Sequence, residues 1–489
     1  MYKFSSIMAT DMYNLTMAYA YWRLGRHNDQ AVYHLSFRQN PFKGGFIICA
    51  GLQTAIDNII QQFNITDEEK KYLTNLTDSN GDKLFSEDFI LFLQNMQFSC
   101  DIHAVPEGTI AFPNEPLVRV SGPIIQCQLI ETLLLNTIGF QSLIATKAAR
   151  ICLAAKNKPV VEFGMRRAHN IEGSMLASRA AFIGGCVATS NMLAGRKFNI
   201  PVRGTQSHSW ITSFDKEEEA FKQYAAHTPH SMHVFLVDTY CTLKGIKTAI
   251  KVAKELQAQG RKFIGIRIDS GDLAWFSKQA RSMFDQAGLK EAKIFASNEV
   301  DEYIIESIEH EGGKVDCWGV GTKLVTGGNT PSLGCVYKLS ALKQKGQAEW
   351  QYKIKISEQI FKTSIPGMQQ IKRFISDNGE YLGDMIFDEL NETNMSTNII
   401  DPVENTHNKN FTPSTKSKLL LKHIVKAGQL LDDFSTLPEI QKFVKTELKS
   451  VHSGIKRFIN PHQYPAGLEE NLYKQRAQMI EKLKESAEK

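Results

Sequence analysis

The sequence lacks the features that mark membrane, secreted and nucleic-acid-binding proteins. Apolar stretches such as GPIIQCQLIETLLL are cut by Gln and Glu before they are long enough to cross a bilayer. The first residues, MYKFSSIMATDMY, have no apolar segment typical of a secretory signal. The net charge of +5 is too small to predict a nucleic-acid or membrane partner. We therefore expect a cytoplasmic protein that acts on small molecules.

The eight cysteines follow no pattern that binds metal or requires disulfides. They are scattered, without a Cys-x-x-Cys pair or Cys/His ligand spacing, and several lie in apolar runs such as FIICAG. These are features of buried thiols in a reducing compartment. The length of 489 residues, with 42% apolar and 22% charged residues, predicts about two to four globular domains or one barrel with additions.

The two ends of the chain mix helical and strand-like patterns. Residues 1–135 alternate between both types, include two short helical segments near residues 85–96, and lead into a long apolar helix from Ile124. Residues 341–489 contain an alternating edge strand at 350–356, a polar, loop-rich middle and an amphipathic helix from Leu468. We predict that both ends form a second α/β body beside the middle of the chain.

The middle stretch, residues 136–340, predicts a parallel sheet that forms a barrel. Short apolar runs without strict alternation recur about every 25–30 residues, the length of a strand–helix unit, and end in polar or Gly residues. In a barrel these ends share one face, so polar residues far apart in the sequence meet in one pocket. The runs are PVVEFGMRR, PVRGTQSHS, HVFLVDTY, KFIGIRIDSGD, KIFASNE, DCWGVGTKL and CVYKLSAL.

The run IRIDSGDL carries the most charge of these strand ends. The Arg267 guanidinium suits a phosphate or carboxylate, and Asp269 and Asp272 suit Mg²⁺ or ribose hydroxyls. Alternatively, Asp272 caps the helix that begins at Leu273, and Arg267 and Asp269 simply pair. We favour the cap for Asp272. For the other two we favour function, because charged residues are rare within buried strands.

Two further strand ends offer groups that can hold an anion. In WGVGTKLVTGGN, Gly319 and Gly321 let backbone N–H groups approach a ligand and Thr322 adds a hydroxyl, although Gly-x-Gly is as often a tight turn. Ser297 and Asn298 end the preceding strand. They either complete a phosphate cup or serve as cap and turn residues.

Several single residues allow more than one interpretation when taken alone. His208 in VRGTQSHSW is a base, a nucleophile or a satisfied core group. Arg166 and Arg167 in FGMRRAHN clamp an anion or form a solvated face. Tyr13 lies on a predicted helix, where an aromatic is usually part of the core. Together the patterns predict a pocket for a phosphorylated substrate, with Mg²⁺.

Taken in order, the segments resemble the nicotinate phosphoribosyltransferase family. The resemblance runs over nearly the whole chain and is weakest near residues 65–100 and 376–450. The motifs that carry it are TDMYNLTMAYAYW, FRQNPFKGGF, EFGMRRA, TSNMLAG, PVRGTQSHSW, FLVDTY, GIRIDSGDL, ASNEVDEY, WGVGTKLVT, SLGCVYKL and NPHQYP.

The resemblance implies a reaction, a fold and an assembly. The family condenses nicotinate with 5-phosphoribosyl-1-diphosphate to give nicotinate mononucleotide and diphosphate, the first step of NAD salvage from nicotinate. It uses Mg²⁺ as cofactor and ATP as co-substrate, coupling ATP hydrolysis through a phosphohistidine. The implied fold is an irregular TIM-like α/β barrel plus an α/β sandwich domain built from N- and C-terminal segments. The implied assembly is a homodimer with shared active sites.

Carried over position by position, the resemblance also implies residue roles. His208 would be the phosphorylated histidine, with Arg267 and Asp269 as further catalytic residues and Asp269 as the candidate Mg²⁺ ligand. The residues implied around nicotinate are Tyr13 of the partner subunit, Phe163, Arg166, Thr205 and Arg267. Those implied for phosphoribosyl diphosphate are Arg38, Ser297, Gly321, Thr322 and Lys338.

The sequence departs from the family pattern at Gln206-Ser207 and at residues 170–175, which changes the donors near the site. Two alternatives remain. One is a nicotinamide phosphoribosyltransferase, which Asn191 disfavours because those relatives carry an acidic residue at this position. The other is a non-catalytic ligand-sensing relative, which the retained catalytic residues disfavour.

Overall fold

The computed structural model describes residues 4–359, 362–404 and 408–487, which fold into two compact units. Met1–Leu143 and Ser332–Lys489 belong to one, called here the terminal unit, and Ile144–Pro331 form the other, the central unit. Both units combine helices with sheets, so the α/β class expected from the sequence is confirmed.

The strands are short, and most of them belong to three sheets. In chain order they are β1 (Gln30–Phe37), β2 (Ile47–Ile48), β3 (Asp101–Ala104), β4 (Ile110–Ala111), β5 (Val118–Pro123), β6 (Val160–Glu162), β7 (Ala188–Thr189), β8 (Val234–Leu236), β9 (Gly265–Ile268), β10 (Lys293–Ala296), β11 (Cys317–Val320), β12 (Cys335–Lys343), β13 (Gln351–Tyr352), β14 (Gln369–Ile375), β15 (Tyr381–Asp388), β16 (Asn398–Ile400), β17 (Asn408–Asn410), β18 (Lys416–Leu419), β19 (Lys422–Lys426), β20 (Gln429–Leu430) and β21 (Ala466–Glu469).

The helices alternate with strands through the middle of the chain. In chain order they are α1 (Met12–Arg23), α2 (Leu52–Gln61), α3 (Asp67–Asn75), α4 (Glu87–Asn95), α5 (Ile124–Leu129), α6 (Glu131–Ala154), α7 (Ile171–Ile183), α8 (Met192–Phe198), α9 (His208–Thr212), α10 (Glu217–His227), α11 (Thr242–Ala258), α12 (Leu273–Gln286), α13 (Glu302–His310), α14 (Thr322–Val325), α15 (Leu437–Ser450) and α16 (Glu470–Ala487).

The terminal unit contains a seven-stranded sheet built from both ends of the chain, a six-stranded sheet built from the C-terminal segment, and the two-stranded pair β2-β4. The seven-stranded sheet has the order β13-β12-β1-β5-β3-β19-β20, with antiparallel neighbours, and the six-stranded sheet has the order β17-β16-β21-β15-β14-β18. Leu35 and Phe37 of β1 join Phe89 of α4 and Ile56 of α2 in one large apolar core. Burying these side chains is the main favourable contribution to folding, at about 25 cal/mol per Å² of apolar surface.

The central unit contains a six-stranded parallel sheet of order β7-β6-β11-β10-β9-β8. Its first strand in the chain, β6, therefore lies beside the last, β11, as in a barrel. A parallel bridge from Thr189 to Val202 extends the β7 edge, and the described ladder is open between this bridge and β8. The unit is thus an α/β unit around an open parallel sheet, and the carboxyl ends of its strands lie at one edge. The closed barrel stays a prediction.

Three local predictions were wrong. The run CVYKLSAL, expected among the barrel strands, forms β12 and pairs antiparallel with β1, because alternation alone does not identify a strand's neighbours. The long helix expected from Ile124 is broken at Ile130 into α5 and α6. The two short helical segments expected near residues 85–96 are one helix, α4. The polar middle of the last stretch also contains the short strands β16, β17 and β18.

Other expectations are met by local chemistry. The Asp272 side chain accepts a hydrogen bond from the Trp275 N–H and caps α12, as predicted. All eight cysteines are free thiols, although Cys241 is exposed and Cys152 and Cys335 are only partly buried. Within the described ranges, no helix is long and apolar enough to cross a membrane.

Candidate active site

The carboxyl ends of β8, β9 and β10 bring charged and hydroxyl side chains into one cluster in the central unit. Arg267 lies within β9 and Asp269 follows it, Ser297 follows β10, and Asp238 and Thr239 follow β8. Because parallel strands point the same way, these residues share one edge of the sheet. We call them, with His208, the strand-end cluster.

Arg267 is largely buried, and its neighbours accept hydrogen bonds from only some of its N–H groups. Its Nη2 donates to the Gln206 carbonyl at 3.1 Å and its Nη1 donates to Ser297 Oγ at 3.4 Å. The Asp269 carboxylate lies 3.7 Å from Nη1, and Arg267 Nε has no hydrogen-bond partner in the described chain. Burial lowers the pKa of Arg267, which the charges of Asp269 and Asp238 oppose. The guanidinium thus keeps donor capacity for an anion.

His208 begins α9 and lies between a hydroxyl and a carboxylate. Its Nδ1 is 3.1 Å from Thr239 Oγ1, and its Nε2 is 3.7 Å from Asp269 Oδ2. The imidazole is 44% exposed, so a ligand can reach it. A carboxylate beside one ring nitrogen favours the proton on that nitrogen and leaves the other as an acceptor, which here faces the Thr239 hydroxyl. The arrangement suits an imidazole that acts as base or nucleophile.

Asp238 supports the loop that carries Asp269. Its Oδ2 accepts hydrogen bonds from the Asp269 N–H at 2.8 Å and from Ser270 Oγ at 2.7 Å. Its buried Oδ1 has no partner among the described residues. Burial and the charge of Asp238 raise the pKa of Glu217, at the start of α10, to about 7.

Phe163 lies beside the cluster because Gly319 of β11 has no side chain. A Cβ at Gly319 would be 2.6 Å from the Phe163 ring and 3.2 Å from the Ser297 Cβ. Ser297 Oγ in turn donates a short hydrogen bond to Asp269 Oδ1. The glycine predicted to let a ligand approach therefore makes room for an aromatic ring next to the Ser297 hydroxyl.

The other residues predicted in the central unit lie at or near the same edge. Thr322 begins α14 after Gly321, and its Oγ1 donates to Glu299 Oε1 at 2.9 Å. Thr205 Oγ1 donates at 3.3 Å to the Gln206 carbonyl, the same group that accepts from Arg267. The charge of Arg166 contributes to lowering the Arg267 pKa.

Three predicted site residues lie in the terminal unit. Tyr13 is on α1 and is 48% exposed, and burial with the charge of Glu131 raises its pKa. Arg38 follows β1, and Lys338 lies within β12. The ligand contacts implied for these three remain predictions.

The carboxylates of the strand-end cluster fit Mg²⁺ bound through a phosphorylated substrate. In the described ranges no group of three or more His, Cys, Asp and Glu side chains could hold a metal ion by itself. Mg²⁺ commonly uses one or two carboxylates together with substrate phosphates. Asp269 and the unpartnered Oδ1 of Asp238 offer such oxygens.

Sequence reasoning missed Asp238, Thr239 and Glu299 as members of the site. The run HVFLVDTY has the same form as the other strand ends, apolar residues followed by polar ones, so this pattern could have identified Asp238 and Thr239. Glu299 gives no such signal, because only the conformation of its loop brings it to Thr322.

A cluster of cation, carboxylate, imidazole and hydroxyl groups at the carboxyl ends of a parallel sheet defines an α/β enzyme. Family models agree. The nicotinate phosphoribosyltransferase N-terminal domain matches residues 8–139, the nicotinate phosphoribosyltransferase family matches residues 159–397, and the C-terminal domain matches residues 368–476.

Individual relatives are similar over nearly the whole chain. A nicotinate phosphoribosyltransferase of Bacillus subtilis is 40% identical over 98% of this chain and 96% of its own length. One from Caenorhabditis elegans is 33% identical over 95% of this chain and 92% of its own. The crystal structure of human nicotinic acid phosphoribosyltransferase matches with a TM-score of 0.82 at 29% identity, covering 96% of this chain and 99% of that one. The chain belongs to the nicotinate phosphoribosyltransferase family.

Proposed function

We propose that this enzyme transfers the phosphoribosyl group of 5-phosphoribosyl-1-diphosphate to nicotinate, releasing diphosphate and forming nicotinate mononucleotide, and so begins NAD salvage from nicotinate. The observation that carries the proposal is the strand-end cluster, in which the Asp269 carboxylate lies 3.7 Å from a ring nitrogen of His208 and 3.7 Å from the Arg267 guanidinium. Each of the three has donor or acceptor capacity that its neighbours leave unused. The names of the full-length relatives support the same substrate.

The chemistry of the transfer suits these groups. The pyridine nitrogen of nicotinate forms a bond to C1 of the ribose while the bond from C1 to the diphosphate oxygen breaks. Negative charge develops on the leaving diphosphate, and the Arg267 guanidinium is a fixed cation that stabilises it. The Phe163 ring offers a face on which the pyridine can stack, which would hold the nitrogen in line with C1.

We assign the phosphate-binding roles by the same logic. The hydroxyls of Ser297 and Thr322 and the backbone at Gly321 would bind the 5′-phosphate, and we call these three residues the phosphate cup. Asp269 would hold Mg²⁺ through the substrate diphosphate, with Asp238 as a second oxygen donor. Bound there, Mg²⁺ would neutralise part of the diphosphate charge.

We propose that ATP is a co-substrate and that His208 is its phosphoryl acceptor. The exposed imidazole, with Asp269 near Nε2 and Thr239 near Nδ1, supports a nitrogen nucleophile. A phosphorylated side chain carries about −1.5 to −2 charges by analogy with other phosphorylated residues, enough to rearrange nearby cationic groups. The γ-phosphoryl group of ATP would move to a nitrogen of His208 with release of ADP, and water would later cleave the phosphohistidine to give phosphate and the free imidazole. ATP hydrolysis would in this way be coupled to phosphoribosyl transfer.

Asn191 supports nicotinate rather than nicotinamide as the substrate. Its Oδ1 accepts from the Ala194 N–H and caps α8, and its Nδ2 faces the hydroxyls of Ser174 and Ser178. It brings no negative charge to its position. A position without an added carboxylate favours a carboxylate ligand over an amide.

The experiment that tests the function is a paired turnover assay. Purified enzyme with phosphoribosyl diphosphate and Mg²⁺ receives nicotinate or nicotinamide, each with and without ATP, and the mononucleotide formed is measured. We expect faster turnover with nicotinate and stimulation by ATP. Faster turnover of nicotinamide would favour the alternative substrate, and no product from either would favour a ligand-sensing relative.

We further propose a homodimer in the cytoplasm whose active sites each include Tyr13 of the partner subunit. The exposed Tyr13 ring supports a contact outside its own unit, and the eight free thiols support a reducing compartment. Tyr13→Ala should raise the KM for nicotinate about two- to tenfold, the value of a lost aromatic contact. The matched control is Tyr72→Ala, another exposed tyrosine of the terminal unit. An unchanged nicotinate KM in Tyr13→Ala would contradict the shared site.

A further inference from the structure

Glu299 is an acidic side chain at the edge of the proposed phosphate cup. Its Oε1 accepts the hydroxyl hydrogen of Thr322 at 2.9 Å, so a carboxylate already uses a donor that we assign to the 5′-phosphate. The second cup hydroxyl, on Ser297, is likewise donated to a carboxylate, that of Asp269. Both hydroxyls of the cup thus face carboxylate oxygens, which resemble phosphate oxygens in charge and geometry.

The backbone that carries Glu299 is held in an uncommon conformation. Asn298 has φ +100° and Glu299 has φ +35°, two consecutive non-glycine residues in the left-handed region. Such conformations cost free energy and concentrate where a ligand or a switch needs them. Glu299 is exposed, so its side chain is free to leave the cup for solvent.

We propose that Glu299 is an internal competitor of the 5′-phosphate: its carboxylate holds Thr322 in the free enzyme and must leave when a phosphorylated ribose binds. The inference rests on the proposed function for the identity of the cup. A phosphate that enters beside Glu299 meets like-charge repulsion and must take over the Thr322 hydroxyl. Glu299 therefore weakens the binding of every ligand with a 5′-phosphate and sets how much phosphoribosyl diphosphate the enzyme needs.

The test compares Glu299→Gln with the parent enzyme by calorimetric titration of ribose 5-phosphate. Removing the charge should lower the Kd about three- to tenfold, the size of one exposed charge interaction at close range. Ribose without phosphate should show no such gain. Glu299→Ala, which also removes the acceptor, should bind ribose 5-phosphate at least as tightly as Glu299→Gln.

Two controls separate local competition from a general effect of charge. Glu306→Gln removes an exposed carboxylate on α13, and its Kd should stay within about twofold of the parent because solvent screens distant charges. In a Thr322→Val background, Glu299→Gln should give a smaller gain, since the carboxylate is no longer held in the cup. An equal gain in both backgrounds would contradict competition for the hydroxyl.

The result that overturns the inference is a Kd for ribose 5-phosphate that is unchanged or weaker in Glu299→Gln. The kinetic counterpart is a KM for phosphoribosyl diphosphate that falls about three- to tenfold. Failure of the proposed function is a separate outcome, because it would leave the parent without mononucleotide product while the sugar-phosphate titration still reports on Glu299.

Discussion

Arg373 in the terminal unit and Arg267 in the central unit both face carboxylates and hydrogen-bonding oxygens, but their donors are used very differently. Arg373 Nε and Nη2 donate to Asp384, Nη1 donates to Glu447 at 3.2 Å, and Nη2 also donates to the Ile110 carbonyl at 2.8 Å. The three charged side chains are at most 1% exposed. Burial alone would lower the pKa of Arg373, but the charge of Asp384 raises it well above its usual value. All three nitrogens of the Arg373 guanidinium therefore donate hydrogen bonds within this buried cluster.

Two histidines show the same contrast. His34 is buried, its Nδ1 lies 2.9 Å from Ser340 Oγ, and its Nε2 accepts the Gln369 N–H at 3.1 Å. Burial and the charge of Arg119 hold the pKa of His34 well below its usual range. His208 also has a hydroxyl at Nδ1, but its second nitrogen has only a carboxylate at 3.7 Å and the ring is exposed. Buried polar groups whose hydrogen bonds are all made stabilise the fold. Exposed polar groups with few hydrogen bonds remain available to a ligand.

The largest effect should be the loss of coupled ATP hydrolysis in His208→Ala. Without the imidazole there is no phosphoryl acceptor, so hydrolysis stimulated by nicotinate and phosphoribosyl diphosphate should disappear while some ATP-independent transfer remains. Phosphate release and mononucleotide formation, measured on the same sample, check this. An alanine variant that still shows substrate-stimulated ATP hydrolysis would contradict the role of His208.

Arg373→Leu should lower the free energy of unfolding by about 3–5 kcal/mol. The substitution leaves Asp384 buried without its cation and Glu447 with Lys418 alone, which is far more costly than replacing the whole network. Denaturant unfolding of parent and variant measures the change. A decrease in the free energy of unfolding below about 1 kcal/mol would contradict the burial of this charge cluster in the terminal unit.

Arg267→Leu is the matched substitution in the open cluster. We expect kcat/KM for phosphoribosyl diphosphate to fall about 10²–10³-fold, as when a fixed donor to developing charge is removed. The free energy of unfolding should change by less than about 1 kcal/mol, because few bonds to the guanidinium are lost. A large decrease in the free energy of unfolding with intact activity would mean that Arg267 stabilises the fold rather than the leaving diphosphate.

The smallest effect concerns Glu217, whose pKa is raised to about 7 by burial and by Asp238. Its contribution to stability is fully present below the unfolded pKa of about 4.5 and is lost as the pH rises through about 7. Glu217→Gln, which resembles the protonated form, should be more stable than the parent at pH 8, by about 1 kcal/mol or less after solvent screening. At pH 5 the difference should vanish.

The neighbouring Glu218 provides a control of opposite sign. Hydrogen bonds from Lys222 and Lys251 lower its pKa to about 2, so its charge is favourable in the folded protein. Glu218→Gln should therefore be less stable than the parent at pH 8. Thermal unfolding of both variants at pH 5 and pH 8 makes the comparison. Equal shifts in both variants would contradict the Glu217–Asp238 interaction.

The convergence of Arg267, Asp269 and Ser297 was predictable from the sequence, because parallel strands end at one edge and each run ended in polar residues. The Asp272 cap was predictable for a similarly local reason, the spacing to the helix that follows it. The contact from Asp238 to the Asp269 N–H was not, since it depends on how two loops meet in space.

The terminal unit was less predictable for the same physical reason. Its sheets pair strands that lie far apart in the chain, as β1 pairs with β12, and alternation gives no information on partners. Arg373 lies inside β14 with no polar strand end to draw attention to it, and its partner Glu447 comes from α15. Polar residues 396–418 contain strands because a few residues, among them Ile399 and Phe411, supply a small core.

A crystal structure of the enzyme with phosphoribosyl diphosphate, Mg²⁺ and nicotinate bound would decide whether the strand-end cluster is the catalytic site. The account predicts the 5′-phosphate against Ser297 and Thr322, with the Glu299 side chain turned away, and the diphosphate within hydrogen-bonding distance of Arg267. Substrate bound away from the carboxyl ends of β9 and β10, with Arg267 and His208 contacting no ligand, would contradict it.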